Sequence, residues 1–184
     1  MLDRGRCAAP SLVRALREAS PGAPGAQAAV AVLGALHSPA ARRLLEDLVR
    51  QGRSLAPEAA LALGRLPRAA STVATLAAAV TDHGLDATAR SAAAAALLDL
   101  RAVEPAAGLV EAVLLAATPA GAEAVRREGL PDRTRWALER HMIIEAIARL
   151  TRGERFGLDP DSPWPRLERG TRAFQRWVRE LDAR

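Results

Sequence analysis

The chain has no lysine, asparagine or tyrosine and only one cysteine among its 184 residues. A single thiol, Cys7, excludes an internal disulfide framework and a metal centre built from several cysteines. Aromatic residues make up 3% of the chain and β-branched residues are scarce, which favours helices over sheets. All 26 basic residues are arginine, so the high pI comes from side chains that never titrate. The net charge of +5 is spread along the chain and argues only weakly for a nucleic-acid partner.

The sequence also lacks the common catalytic motifs. No serine stands in a Gly-x-Ser-x-Gly turn, and no glycine-rich loop leads to a lysine that would bind phosphate. His37 and His83 fall at predicted helix C-termini, where positive charge complements the helix dipole. His141 and Glu145 lie four residues apart, on one face of a predicted helix. They form either a surface pair or a pair of groups that share a metal or a proton. We expect the surface pair. We therefore expect that the protein holds no cofactor and no metal, and that it is not an enzyme.

No segment has the pattern of an export signal or a membrane span. Met1 to Arg6 leads into no apolar stretch. The longest uncharged stretch, residues 19–41, is broken by prolines and glycines and is too weakly apolar to cross a bilayer. We therefore expect a cytoplasmic protein. The first predicted helix resembles the second half of a hairpin, which suggests that the chain is a fragment of a larger protein.

An alanine-rich phrase that ends in leucine recurs along the chain. It occupies residues 29–36, 59–66, 93–100 and 143–150. The period begins at about thirty residues and then lengthens, which is typical of solenoids whose units cannot bury their apolar faces alone. The phrase predicts an all-α, right-handed solenoid of about four antiparallel helical hairpins.

Prolines and glycines divide this single predicted domain into parts. Ser38 and Asp86 are predicted N-caps, with Pro39 in the first turn after Ser38, and Gly52 and Gly84 are predicted to end helices. The parts are a partial repeat helix (1–20), three hairpins (21–118), an insertion (119–133) and a capping hairpin (134–184).

The third hairpin carries a family resemblance. Residues 86–97 read Asp-Ala-Thr-Ala-Arg-Ser, then five alanines and a leucine. This stretch resembles HEAT repeats, specifically the bacterial type grouped with phycobilisome-lyase HEAT-like repeats. In that family the aspartate and arginine form a ladder between neighbouring units, which the resemblance implies for Asp86 and Arg90. The second hairpin departs from the pattern, with Pro57 and Glu58 at its start.

The C-terminal part is similar to a closing module that follows such repeats in bacterial proteins. A Leu-Thr-x-Gly phrase at 150–153 leads to Phe-Gly-Leu-Asp-Pro-Asp at 156–161 and to a helix that bears Trp177. The resemblance covers residues 27–184 and implies a fold rather than a function.

The architecture predicts a non-catalytic scaffold that binds a protein or peptide on a concave face formed by the inner helices. The candidate contacts are polar positions of those helices and one tryptophan in a proline-flanked turn: Arg42, Arg43, Glu46, Arg50, Thr72, Thr75, Glu111 and Trp164. The aromatic residues all lie in the last third of the chain, at 136, 156, 164, 174 and 177. They are expected to form a core that seals the end of the solenoid.

The last helix offers an alternative function. Five arginines recur at spacings of three or four, opposite the apolar face: Arg166, Arg169, Arg172, Arg176 and Arg179. Such a stripe is either a solvated face or a strip that contacts phosphates without reading sequence. Two further interpretations stay open. One is an enzyme accessory, which the resemblance to bilin-lyase repeats implies, and the other is a structural end-piece of a larger protein.

Overall fold

The structure, a computed structural model, describes residues 10–16, 25–36, 38–52, 54–116, 125–128 and 137–182, with only the backbone at 181 and 182. These residues form ten helical segments and no strand, which confirms the all-α class. The segments are α1 (10–16), α2 (Ala26–Ala35), α3 (Pro39–Gln51), α4 (Ala56–Gly64), α5 (Ala70–Thr81), α6 (Ala87–Asp99), α7 (Ala107–Leu115), α8 (125–127), α9 (Ala137–Leu150) and α10 (Trp164–Asp182). One 3-10 turn, Glu104–Ala106, precedes α7.

Local capping chemistry sets several of these boundaries as the sequence predicts. Ser38 is the residue before α3 as predicted, although its side chain makes no capping hydrogen bond, and Pro39 occupies the first turn, where its missing N–H costs nothing. Gly52 ends α3 with a φ of 62°, a left-handed conformation that glycine adopts readily. The Asp86 carboxylate accepts a hydrogen bond of 2.7 Å from the Ala89 N–H and so caps α6.

Helices that alternate along the chain pack side by side and run parallel. Near the start of α2, Gln27 donates a hydrogen bond of 2.9 Å to Glu58 of α4. Near the end of α2, the backbone of Gly34 lies so close to Ala62 that an added Cβ would sit 2.9 Å from the alanine Cβ. The start of α2 therefore lies beside the start of α4, and the end of α2 beside the end of α4, so the two helices run in the same direction.

Helices α6 and α9 are also parallel, although α7 and α8 separate them in the chain. Thr88 at the start of α6 donates a hydrogen bond of 2.9 Å to Glu139 near the start of α9. At the other end, the Arg149 guanidinium binds both carboxylate oxygens of Asp99, at 2.8 and 3.0 Å. These two polar contacts tie α9 to α6 at both ends, in parallel orientation.

Helix α6 lies at the centre of the fold. It contacts α4, α5, α7 and α9, and each residue from Ala89 to Leu98 is buried. A helix that is buried on every side has no polar stripe, and its alanine tract fits that position. The small side chains also let neighbours approach closely: a Cβ added to Gly64 of α4 would lie 2.9 Å from the Cα of Ala96.

These contacts establish a helical protein built around α6. They do not by themselves distinguish a solenoid from another arrangement of helices, so the number of hairpins and the handedness stay predictions. Most of the predicted insertion at 119–133 lies outside the described residues, as do Cys7, His37 and Trp136. Among the described residues, none of the helices is long and apolar enough to cross a membrane.

We expect Gly64→Ala to destabilise the protein. The added methyl group meets the backbone of Ala96, which cannot rotate away. Overpacking of this kind costs about 1–3 kcal/mol, whereas the better helix propensity of alanine returns about 1 kcal/mol. The net effect on the free energy of unfolding, measured by urea denaturation, should be a loss of about 1 kcal/mol.

Gly108→Ala in α7 is the matched control. A Cβ there meets the far end of the flexible Glu128 side chain, which can move. We expect this variant to be neutral or slightly more stable. A Gly64→Ala protein as stable as Gly108→Ala would contradict the close α4–α6 contact.

Candidate binding surfaces

Three of the predicted contact residues are buried between α3 and α5. Glu46, Thr72 and Thr75 have 5%, 0% and 7% of their surface exposed. The Glu46 carboxylate accepts hydrogen bonds from the hydroxyls of Thr72, at 2.8 Å, and Ser71, at 3.0 Å. These side chains join the two helices, so a partner cannot contact them directly.

The arginines of α3 are more accessible. Arg50 is exposed, and its guanidinium donates to Asp47 at 2.7 Å and to Thr75 at 3.1 Å. Arg42 is half-buried and donates to the carbonyl of Pro67 at 2.9 Å. Arg43 is exposed. Of these three, Arg43 and Arg50 present charge to solvent.

The Asp–Arg ladder implied for Asp86 and Arg90 is not present in the described contacts. Asp86 caps its own helix. Arg90 is 2% exposed, and its guanidinium donates to the carbonyls of Val80 and Glu128, each at 2.8 Å. Burial lowers the pKa of Arg90, and the carboxylates of Glu128 and Asp82 partly counter that shift. Arg90 therefore joins α6 to α5 and to the segment after α8.

Three of the five aromatic residues form the predicted cluster. Phe156, Phe174 and Trp177 have ring centroids 5.8 to 6.1 Å apart, with Phe174 and Trp177 stacked. Trp164 behaves differently, since 49% of its surface is exposed at the start of α10. The aromatic cluster fixes α10 to the turn before it and leaves the Trp164 indole in contact with solvent.

A groove of about 340 Å³ lies between α7, with the 3-10 turn before it, and α10. Its apolar surface comes from valines and the Phe174 ring. Glu111 of α7 and Arg179 of α10 add opposite charges, and Gln175 adds an amide. Sequence reasoning selected Glu111 and Arg179 for different functions and did not place them at one site. No sequence signal indicated the groove, because Phe174 and Val178 have the pattern of ordinary core residues.

The predicted arginine stripe is exposed along α10. All five of its arginines are exposed to solvent. Arg166 donates a hydrogen bond of 3.0 Å to the carbonyl of Gly157, and Arg172 lies 3.8 Å from the Glu168 carboxylate. Arg179 belongs to the stripe and also lines the groove. The stripe therefore borders the groove at its C-terminal end.

A second cleft, of about 360 Å³, lies over α4, α6 and α9. It brings together His141 and Glu145 with the Asp99–Arg149 ion pair. The hydrogen bonds that Arg149 donates to Asp99 raise the pKa of Arg149, and Arg155 donates to Glu145 at 2.6 Å. Among the described residues, no group of three or more metal-binding side chains is placed to hold a metal ion.

Comparison with known proteins identifies no family for this all-helical chain. No family model, no curated protein and no solved structure matches it. The resemblance to HEAT repeats therefore stays a prediction from the sequence.

We expect Glu46→Ala to destabilise the protein, because it removes the acceptor shared by two α5 hydroxyls and leaves Thr72 buried without its partner. Hydrogen bonds to a charged group contribute about 1.5–3 kcal/mol, so thermal or urea unfolding should report a loss of about 2–3 kcal/mol. Glu46→Gln keeps an acceptor oxygen and should lose less than half as much. Equal losses in the two variants would argue against the hydrogen-bonded link.

Proposed function

We propose that this protein is a non-catalytic, HEAT-like helical-repeat scaffold that binds a protein or peptide segment, with the groove between α7 and α10 as its binding site. The groove carries this proposal because it combines an apolar floor with charged groups of both signs. Apolar pockets with a few placed polar groups are the usual form of binding sites.

The parallel packing of alternate helices supports the repeat architecture. Gly34 meets Ala62 in the same way that Gly64 meets Ala96. In both pairs, the sixth residue of one alanine-rich phrase packs on the fourth residue of the next. A packing contact that repeats together with the sequence is what a stack of similar units produces.

The chemistry around the groove favours an acidic, amphipathic segment as the partner. Its apolar side chains would cover Val178 and Phe174, which line the floor. Its carboxylates would lie toward α10, where Arg176 and Arg179 are exposed. Glu111 on the opposite side would repel those carboxylates and so select the direction in which the segment lies.

Other predicted contacts can extend this surface. The exposed indole of Trp164 begins the same helix that borders the groove, and a partly exposed tryptophan is a common anchor for a partner. Arg43 and Arg50 lie on α3 and would require a larger partner that also reaches that helix.

Phosphate binding by the arginine stripe is the second candidate. The observation that favours it is the exposure of all five arginines on one 19-residue helix. Contacts of this kind release counterions and make duplex binding steeply dependent on salt. A groove-bound peptide depends on apolar burial as well, and its affinity should vary less with salt.

We expect one substitution to block the groove. A peptide is first selected from a random peptide display library on the full chain and labelled for fluorescence anisotropy. Ala107 is exposed and lines the groove, so the phenyl ring of Ala107→Phe should occupy it and abolish binding. Ala70→Phe, at an exposed alanine that begins α5, is the matched control and should bind normally. Selected peptides without carboxylates, or equal binding to both variants, would contradict the proposal.

Charge reversal separates the two candidate functions. Arg179→Glu should weaken the selected peptide by about tenfold, whereas Arg169→Glu, on the same helix outside the groove, should change the affinity little. Binding of a labelled DNA duplex is measured with the same proteins at about 50 and 200 mM salt. Duplex binding that falls steeply with salt and is weakened equally by both substitutions would instead support the arginine stripe.

A further inference from the structure

The cleft over α4, α6 and α9 lies apart from the groove and is lined by different residues. Five of its side chains ionise: Arg65, which directly follows α4, Asp99 of α6, and His141, Glu145 and Arg149 of α9. Leu61 and Met142 are both half-buried and form the apolar part of the cleft lining. The cleft volume of about 360 Å³ is within the range of small-molecule sites.

Both carboxylates of the cleft already have strong partners. Asp99 binds two nitrogens of Arg149, at 2.8 and 3.0 Å. Glu145 accepts a hydrogen bond of 2.6 Å from Arg155. The ion pairs neutralise these charges and hold the α6 and α9 sides of the cleft in place.

The other two ionisable groups remain available as donors. Arg65 and His141 are exposed, and neither side chain forms a hydrogen bond or an ion pair with another residue that the structure describes. Arg65 offers a planar guanidinium suited to two parallel hydrogen bonds with a carboxylate. A cleft whose acids are neutralised and whose free groups are donors favours an anion.

We propose that this cleft binds a small organic monocarboxylate with an apolar body. The carboxylate would pair with Arg65 and His141, and the apolar body would cover Leu61 and Met142. A single negative charge matches the one unpaired arginine. A doubly charged phosphate would carry a second charge for which the cleft has no second unpaired arginine.

The test uses phenylacetate as the probe, titrated into the full chain and followed by two-dimensional NMR. Phenylacetamide, which has the same shape without the charge, and phenyl phosphate, which carries a second charge, are the comparison ligands. Phenylacetate should shift the amide signals around Arg65 and His141 at millimolar concentrations, and both comparison ligands should bind more weakly. Tighter binding of either one, or no shift with phenylacetate, would overturn the proposal.

Variants locate the site. Arg65→Gln should weaken phenylacetate by at least about fivefold, the loss of one charge-assisted contact. Arg43→Gln, at an exposed arginine of α3, is the matched control and should not change the affinity. Equal affinities in the two variants would place the ligand elsewhere.

The histidine provides a second readout. His141 lines the cleft, so His141→Ala should also weaken phenylacetate, because it removes the second group that binds the carboxylate. An unchanged affinity in His141→Ala would exclude the histidine from the site.

Discussion

The fold depends on the close approach of helices around α6. Residues Ala89 to Leu98 are buried on every side, and the neighbouring helix α4 comes so near that Gly64 has no room for a Cβ against Ala96. Packing at this distance gives every atom of the tract several neighbours, and dispersion contacts add up over the whole helix. At the Gly64–Ala96 contact it leaves room only for small side chains, because a larger one would separate helices that other contacts hold together.

The candidate sites lie where this tight packing ends. The alanines of α6 have no reactive groups, but residues at its two ends, Thr88 and Asp99, bind polar partners on α9. The second cleft opens beside the Asp99–Arg149 pair. The stacked Phe174 and Trp177 rings fix α10, and the groove lies where α10 meets α7. Rigid helices thus position the side chains that remain available to ligands.

Sequence reasoning succeeded where the chemistry is local. The cap at Asp86 and the left-handed glycine at Gly52 follow from backbone groups within a few residues, so their positions could be predicted. It failed where partners lie far apart in the sequence. Glu46 has the pattern of a surface residue on α3, but it is buried and binds Thr72 of α5, twenty-six residues later in the chain. Arg90 likewise binds carbonyls whose positions depend on how α5 and the segment after α8 fold back. The groove between α7 and α10 required the packing of two helices that no spacing rule connects.

Native-state hydrogen exchange of the backbone amides tests the central position of α6 most directly. A helix buried on all sides exchanges only when the whole protein unfolds, whereas peripheral helices open locally. The amides from Ala92 to Leu98 should therefore be the slowest in the chain, with an opening free energy equal to that of global unfolding. Exchange in α6 as fast as in α2 or α10 would contradict a fold built around this helix.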